Sequence, residues 1–279
     1  MDCRRNEIGI SMEKLSSLSL VQPRPSPKMD AIYDALIEGF PGTRRNIQPA
    51  DRYACWGLIG QNALLMHQFP HIFIDMPYNG RLENDNFEES YWRFCMDGLH
   101  DNRRLDVPSD RFEQWNKEIQ PHNEKGDYVL ICPSSETMTR TMHGMPMGMW
   151  VQQAVAEVES RGLKSKVRYK PRKNGTSGPS VADVALEDDI ANASAVIVSA
   201  SLSAVTAQLM GKPVFTTAPE FCPTAWCSNT NFDNLKNPLI FSMEDRQQLM
   251  YNLAYKQFSI PEMRNGVCYD IAKQYLGYK

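Results

Sequence analysis

The sequence predicts an α/β protein with two parallel-sheet layers, and three observations lead there. Residues 193–217 read ASAVIVSASLSAVTAQLMGKPVFTT. They offer a buried-strand run at 195–198, a small-residue turn, a short apolar helix over 204–210, a Gly-Lys-Pro stop and a second strand opening at Val214-Phe215. The N-terminal half repeats the pattern, with an apolar run at 53–59, a helix through Leu64, Leu65 and Met66, and the strand HIFID at 71–75. Strand, helix and strand in short succession require a crossover, and a crossover makes the strands parallel. Between the two patterns, the polar stretch at 115–126 carries a proline and a glycine and reads as a boundary.

The chain has 279 residues, of which 42% are hydrophobic and 23% charged, an ordinary globular balance. A formal net charge of −3 offers no global attraction for nucleic acid and leaves room for local basic patches. Seven cysteines without a Cys-x-x-Cys pair fit reduced thiols rather than a disulfide framework or a zinc site. No apolar run approaches the roughly 20 residues that span a bilayer, and the N-terminus lacks the apolar core of a signal peptide. A cytoplasmic protein with no membrane partner is the expectation.

Three units are expected. Residues 1–28 are polar, with Pro23, Pro25 and Pro27, and read as a flexible arm with a modest apolar stripe through Leu15 and Leu18. Residues 29–120 form the first α/β domain and residues 121–279 the second, with helices at the C-terminus. Ile32, Leu36 and Ile37 recur at helical spacing from Met29, and Gly39 with Pro41-Gly42 ends that helix. Asp75 closes the strand at 71–75 and opens the loop Met76-Pro77-Tyr78-Asn79-Gly80-Arg81. Open α/β sheets place chemistry at such exits, although Asp75 also suits a turn cap. Tyr91-Trp92-Arg93-Phe94 reads equally as strand or short helix. His100 sits in a turn, either as a catalytic group or as an exposed loop histidine, and Arg103, Arg104 and Arg111 make a local positive patch.

In the second unit the strand at 128–132 exits into Ser134-Ser135, and the methionine-rich stretch TMHGMPMGM that follows reads as a flexible loop that shapes a pocket or simply packs. Trp150, Val151, Ala154, Val155 and Val158 share one helix face that Gly162 ends. A short strand at Val167 runs into a cationic loop holding Arg168, Lys170, Arg172 and Lys173. This loop is a solvated surface or a clamp on diphosphate oxygens. Residues 181–193 read as a helix with an acidic end. Ser199, Ser201 and Ser203 then occupy the strand-to-helix turn, where unpaired N–H groups welcome phosphate; a plain helix cap is the alternative. Residues 243–258 read as one helix with Met250, Leu253, Ala254 and Phe258 on one face, and Pro261 begins a last amphipathic helix.

The order of strand, Ser-rich turn, helix and Gly-Lys-Pro-Val strand, with a basic Lys-Pro loop one unit earlier, resembles the C-terminal half of GT-B glycosyltransferases. The N-terminal pieces, Trp56-Gly57, Asp75-x-x-Tyr78 with Arg81, Gly98-x-His100 and Asp110-Arg111, resemble phage-encoded relatives of that group. Gln208 stands where many relatives carry a Glu for sugar hydroxyls, Lys170-Pro171 where a His-Pro is common, and Met76 where phage relatives have a His. The resemblance implies two Rossmann-like domains facing across a cleft. It implies metal-independent sugar transfer from a nucleotide-sugar donor to a hydroxyl, with no cofactor beyond the substrate. The acceptor would be a modified DNA base or a glycan, and the location a host cytoplasm if the chain is phage-encoded. Asp75 is then the general base, with His100 as the second candidate. Ser134, Ser135, Lys170, Arg172, Ser199, Ser201, Ser203 and Gln208 would bind the donor, and Tyr78, Arg81, Arg103 and Arg104 the acceptor. A nucleotide- or DNA-binding protein without catalysis and a sugar-nucleotide epimerase are the alternatives. No Asp-x-Asp sequence sits at a strand exit, no P-loop or nucleophile elbow occurs, and no Gly-x-Gly-x-x-Gly fingerprint is present.

Overall fold

The computed structural model describes residues 17–22, 24, 26–58, 62–80, 86, 88–170 and 184–279. The first part of the chain contributes Leu18–Val21 (β1), Pro27–Gly39 (α1), Thr43–Arg45 (β2), Arg52–Trp56 (β3), Asn62–Gln68 (α2), His71–Asp75 (β4), Tyr91–Met96 (β5) and the short Asp110–Glu113 (α3). The second part contributes Tyr128–Cys132 (β6), Glu136–His143 (α4), Met147–Glu159 (α5), Ser165–Val167 (β7), Leu186–Ala191 (α6), Ala193–Val198 (β8), Ser203–Leu209 (α7) and Val214–Thr216 (β9). Met243–Ala254 (α8), Gln257–Ser259 (β10), Ile260–Arg264 (α9) and Val267–Ile271 (α10) complete it.

Two α/β sheets result, as expected. The first has the order β10-β5-β4-β3-β1-β2 and the second β7-β6-β8-β9. All pairs of the second sheet are parallel. The first is parallel from β2 through β4, while β5 pairs antiparallel with β4 on one side and β10 on the other. Tyr91–Met96 is therefore a strand, and its reversed direction was not anticipated.

The expected arm is the largest departure. Its residues Leu18–Val21 form β1, inserted between β2 and β3, with Leu18 and Leu20 fully buried. The rest of the arm up to residue 16 lies outside the described residues. The helix expected over 243–258 stops at Ala254, and Phe258 becomes the centre of β10, paired with Trp92. Gly266, in the left-handed region at φ 86°, separates α9 from α10, so the last amphipathic helix comes in two pieces. Both belong to the first sheet: Phe258, Ile260, Met263, Cys268 and Leu276 pack with α1 and one face of β1, β3, β4 and β5. The dock of α1 on α9 needs Gly39, because a Cβ there would stand 1.7 Å from the Met263 carbonyl oxygen.

The opposite face of the first sheet is where the halves meet. Cys55, Phe73 and Cys95, from successive strands, share a core with Leu249, Met250 and Leu253 of α8 and with Val205 of α7. Period-two alternation explains this division: Ile72 and Ile74 face α1, and Phe73 faces the second half. In the second sheet, α5 covers Val129, Ile131 and Ile197 on one face, and α6 and α7 cover Leu130, Val196 and Val198 on the other. The boundary stretch is tied down rather than loose, since Gln120 N–H donates to the Leu209 carbonyl at 2.7 Å and Asn123 N–H to Gly211 at 2.8 Å. Six described cysteines are free and buried. Among the described residues no helix is long and apolar enough to cross a membrane.

Candidate functional site

The carboxyl ends of β6, β8 and β9 carry hydroxyl side chains, and hydrogen bonds draw these exits together. Ser134 Oγ accepts from Ala200 N–H at 3.3 Å, joining the β6 exit to the β8 exit. Ser199 Oγ lies 3.1 Å from Thr217 Oγ1 beyond β9 and 3.0 Å from His143 Nε2 at the end of α4. Trp150 Nε1 donates to Thr217 Oγ1 at 3.0 Å. Ser201 Oγ accepts from Ser203 N–H at 3.3 Å and from Ser203 Oγ–H at 2.8 Å, closing the turn one residue ahead of Leu202, the N-cap of α7. Ser135 caps α4 by accepting from Met138 N–H at 3.4 Å.

A pocket of about 220 Å³ opens beside this cluster, lined by His143, Met145, Trp150, Gln153, Glu157, Thr217 and Phe232 among others. Trp150 and Phe232 give it aromatic walls, and the His143 ring stacks on Trp150 with centroids 6.3 Å apart. Burial lowers the His143 pKa, with the Glu220 carboxylate working the other way, so this imidazole is neutral at physiological pH. Sequence reasoning placed neither His143 nor Thr217 in a site. Their signal was weak, a histidine in a methionine-rich stretch and a threonine directly after a short strand.

On the first sheet, Asp75 ends β4 half-buried. Its Oδ1 accepts from Met76 N–H at 2.8 Å, and its Oδ2 faces Arg93 Nη2 at 3.2 Å. Arg93 sits opposite Asp75 in the β4–β5 register. It is buried, and its Nη1 lies 2.9 Å from His100 Nδ1. Tyr78 is buried as well, with its hydroxyl 3.3 Å from both His100 Nδ1 and Cys95 Sγ. His100 was expected in an open turn. It is instead 2% exposed and enclosed by Arg93 and Tyr78, with its Nδ1 2.9 Å from Arg93 Nη1 and 3.3 Å from the Tyr78 hydroxyl. A ring so enclosed and committed is not within reach of an acceptor hydroxyl, so the structure corrects the expectation of His100 as a base. Tyr78 is corrected on the same ground as an acceptor contact.

Other expected contacts prove to be internal. Gln208 is buried, and its Nε2 donates to the Cys227 carbonyl, so the amide ties α7 to the segment before α8. Arg103 forks onto the Asp101 carboxylate at 2.6 and 2.5 Å and donates to the Leu276 carbonyl at 2.8 Å. Arg104 pairs with Asp245 at 2.8 Å and lies over the Trp226 ring. Arg111 is buried against Glu262 and the Ala254 and Gln257 carbonyls. Arg45 pairs with Asp30 and Asp34, and Arg52 with Asp97. These arginines hold the fold together, which leaves a weaker basic surface than their number suggests. Arg168 and Lys166 bind the buried Asp189, whose pKa is lowered although burial alone would raise it. Lys170, beyond the exit of β7, is exposed. Arg81 and Arg172 lie outside the described residues. Among the described residues, no group of three or more His, Cys, Asp or Glu is arranged to hold a metal ion.

His100 makes stability depend on pH. Burial, and then the Arg93 charge, push its pKa well below 6.5, and the Ala200 backbone only partly opposes them. The unfolded chain then takes up a proton that the folded chain refuses. The stability from neutral His100 is complete above the unfolded pKa and is lost as pH falls below it. Arg93, Lys256, Asp101, Cys95 and Tyr78 are the ionisable groups around it. Urea unfolding should therefore weaken from pH 7.5 to pH 5, by at most about 1.4 kcal/mol per pH unit for this one proton. His100→Gln should flatten that slope; an unchanged slope would assign the effect to another group.

No family model matches the chain, and no curated protein matches it. The resemblance to phage-encoded proteins thus has no sequence match behind it. Solved structures similar to the chain include two of KpsC from Thermosulfurimonas dismutans. The beta Kdo 2,7 transferase aligns with a TM-score of 0.49 at 11% identity, covering 90% of this chain and 98% of its own. The beta Kdo 2,4 transferase aligns with a TM-score of 0.47 at 9% identity, covering 87% and 91%.

Proposed function

We propose that the chain transfers a glycosyl group from a nucleotide-sugar donor to an acceptor hydroxyl. One observation carries this reading. The hydroxyl-bearing exits of β6, β8 and β9 converge, hydrogen-bonded to one another, at the mouth of an aromatic-walled pocket. In this reading the planar base of the nucleoside stacks on the aromatic lining of Trp150 and Phe232, with Gln153 and Glu157 as polar partners. The diphosphate would then lie over Ser134, Ser199 and Ser201, with Lys170, exposed beyond the exit of β7, as its candidate cation. His143, neutral and bonded to Ser199, supplies a fixed ring nitrogen at the junction of nucleoside and phosphate.

In this reading Asp75 is the base. It leaves β4 at the carboxyl edge of the first sheet, and of Asp75 and His100 it is the one that keeps solvent access, its side chain 32% exposed. Arg93 beside it holds the carboxylate in place. A glycan or modified-base acceptor would approach from that side. The second reading, nucleotide binding without transfer, draws on the same contact, since a carboxylate already paired with Arg93 is less free to meet an acceptor hydroxyl.

A thermal-shift panel of uridine, cytidine, guanosine, adenosine and thymidine diphosphates tests the donor site. A ligand at 100 times its Kd adds about 2.7 kcal/mol, which for a chain of this size raises Tm by roughly 5 °C or more. Phe232→Ala should abolish the shift. No shift with any diphosphate would sink the donor site. A shift without any release of nucleotide from nucleotide sugars would favour the binding protein.

A further inference from the structure

Asp75, Arg93 and Gln257 stand side by side across three strands. Asp75 of β4 is opposite Arg93 of β5, and Arg93 is opposite Gln257 of β10. Residues paired in this way point to one face of the sheet. Here it is the face of Phe73 and Cys95, which meets the second half. The loop that leaves Asp75 stays over this row. Its Tyr78 ring lies against the Arg93 guanidinium at 5.7 Å, and its backbone reaches Gln257, two strands away from β4. Gln257 Oε1 accepts from Tyr78 N–H at 2.9 Å and from Asn79 N–H at 3.1 Å, and its Nε2 donates to the Asn79 carbonyl at 3.1 Å.

The chemistry of the position suits glutamine. Gln257 is 1% exposed, so its amide has to find partners within the protein. Residues 76–80 belong to no strand, and among the described residues Tyr78 N–H and Asn79 N–H have no other acceptor. The amide offers one oxygen to two successive N–H groups and one N–H to a carbonyl, a short piece of ladder supplied by a side chain. Its orientation is fixed, because the reverse would set its N–H groups against two backbone donors. A carboxylate in its place would accept but not donate. An apolar side chain would leave all three backbone groups unmatched.

This hook is braced from behind and loaded in front. Arg111 Nη2 donates to the Gln257 carbonyl at 2.8 Å, while Arg111 Nη1 binds Glu262 at 2.7 Å. In front, the buried Arg93 guanidinium lies over the Phe73 ring at 5.3 Å as well as over Tyr78 of the hooked loop. The loop is pinned once more at Gly80, whose backbone, at φ 79°, runs so close to Tyr91 that a Cβ would stand 3.0 Å from the ring. Held in this way, Arg93 keeps its Nη2 at 3.2 Å from Asp75 Oδ2.

We infer that Gln257 is a positioning residue for Asp75: it hooks the loop 76–80 across β5, and so holds Tyr78 on Arg93 and Arg93 on the carboxylate. Its catalytic meaning rests on the reading of Asp75 as the base. The hook belongs to β10, so the segment after α8 sets the placement of a group near the start of the chain. Arg111 takes part by fixing the backbone from which the Gln257 side chain extends.

Amide hydrogen exchange on the ligand-free full-length chain tests it. In the wild type Tyr78 and Asn79 should exchange as slowly as the residues of β4, although they lie in a loop. Gln257→Met keeps the length of the side chain and removes its hydrogen bonds. Exchange at Tyr78 and Asn79 should then rise about tenfold or more. Met76 should follow, because its N–H donates to Asp75 Oδ1 and reports on the carboxylate. Ile72, Phe73 and Ile74 should stay as in the wild type. Gln257→Glu, which keeps an acceptor for both N–H groups, should retain most of the protection at 78 and 79. Should Gln257→Met fail to fold, the wild type and Gln257→Glu decide: fast exchange at Tyr78 and Asn79 in both would overturn the hook. A rise at 78 and 79 with Met76 unchanged, or a rise spread along β4, would overturn the positioning of Asp75. In transfer assays Gln257→Met should lose about tenfold or more in kcat with the donor KM unchanged, and an unaltered kcat would count equally against the inference. A wild type without transfer activity would remove Asp75 as base but leave the exchange result intact, so the two readings fail separately.

Discussion

Replacing Asp75 with asparagine should slow glycosyl transfer by about 10²–10⁴-fold, the usual contribution of a general base, while leaving donor affinity unchanged. The amide cannot take a proton from the acceptor hydroxyl, so the barrier rises only for the chemical step. The local backbone should tolerate the change, because Asn Oδ1 can still accept from Met76 N–H, as Asp75 Oδ1 does at 2.8 Å. The Arg93 contact is different: an amide oriented that way presents N–H groups to Arg93 Nη2, donor against donor. Some local loosening follows, and the variant Asp75→Glu separates the causes. Glutamate keeps the charge and the Arg93 pairing but moves the carboxylate by one methylene, so it should recover part of the rate if proton abstraction is what was lost. No described contact links Asp75 directly to the second sheet's exits, which is why the nucleotide-induced thermal shift should survive in both variants. Normal transfer by Asp75→Asn would remove Asp75 from the mechanism. Loss of the thermal shift would show that the substitution acts on binding instead.

The parts legible in the sequence were those whose signal is local. HIFID at β4 and the apolar runs at β6 and β8 are strands wherever they are placed, because buried parallel strands read as continuous β-branched and aromatic segments. The turn and helix after β8 followed from small residues and from the Gly-Lys-Pro stop. What stayed hidden depends on distant partners. Gln257-Phe258-Ser259 continues the apolar spacing of α8, and only pairing with β5, some 160 residues earlier in the chain, makes it a strand. His100 looked like an exposed loop residue because nothing near it in sequence signals burial. The groups that enclose it come from β4's exit loop and from β5. Arg93 carried a faint signal, a lone cation inside an aromatic strand, which sequence alone leaves unresolved between a half-exposed edge and a buried pair. The hydroxyl-rich exits were visible as residues. Their convergence, and the pocket beside them, required the sheet order β7-β6-β8-β9.

The double variant Leu18→Ala/Leu20→Ala should lose several kcal/mol of stability and leave little folded protein at 37 °C. Read as part of a polar arm, the same two leucines would matter by less than about 0.5 kcal/mol, as surface substitutions do. Both side chains are fully buried, on the face that α1 covers, and they pack with Ile32, Leu36, Ala54 and Ile72. A buried Leu→Ala change costs about 2–5 kcal/mol, against a total stability of about 5–15 kcal/mol. The two sites are neighbours, so their costs will not simply add. Position amplifies the damage. β1 holds β2 on one side and β3 on the other through seven residue pairings, Leu18–Leu20 against Thr43–Arg45 and Leu18–Val21 against Arg52–Cys55. Weakening it uncovers the edge of β3, an invitation to aggregation. Urea unfolding followed by tryptophan fluorescence measures the loss, since Trp92 and Trp56 pack against this core. Arg44→Ala, an exposed position on β2, serves as the control with a change near zero. A double variant as stable as the wild type would mean that β1 is not the interior strand of the first sheet. The site would then lose its scaffold, because β4, which carries the chain to Asp75, is aligned on β3, and β3 on β1.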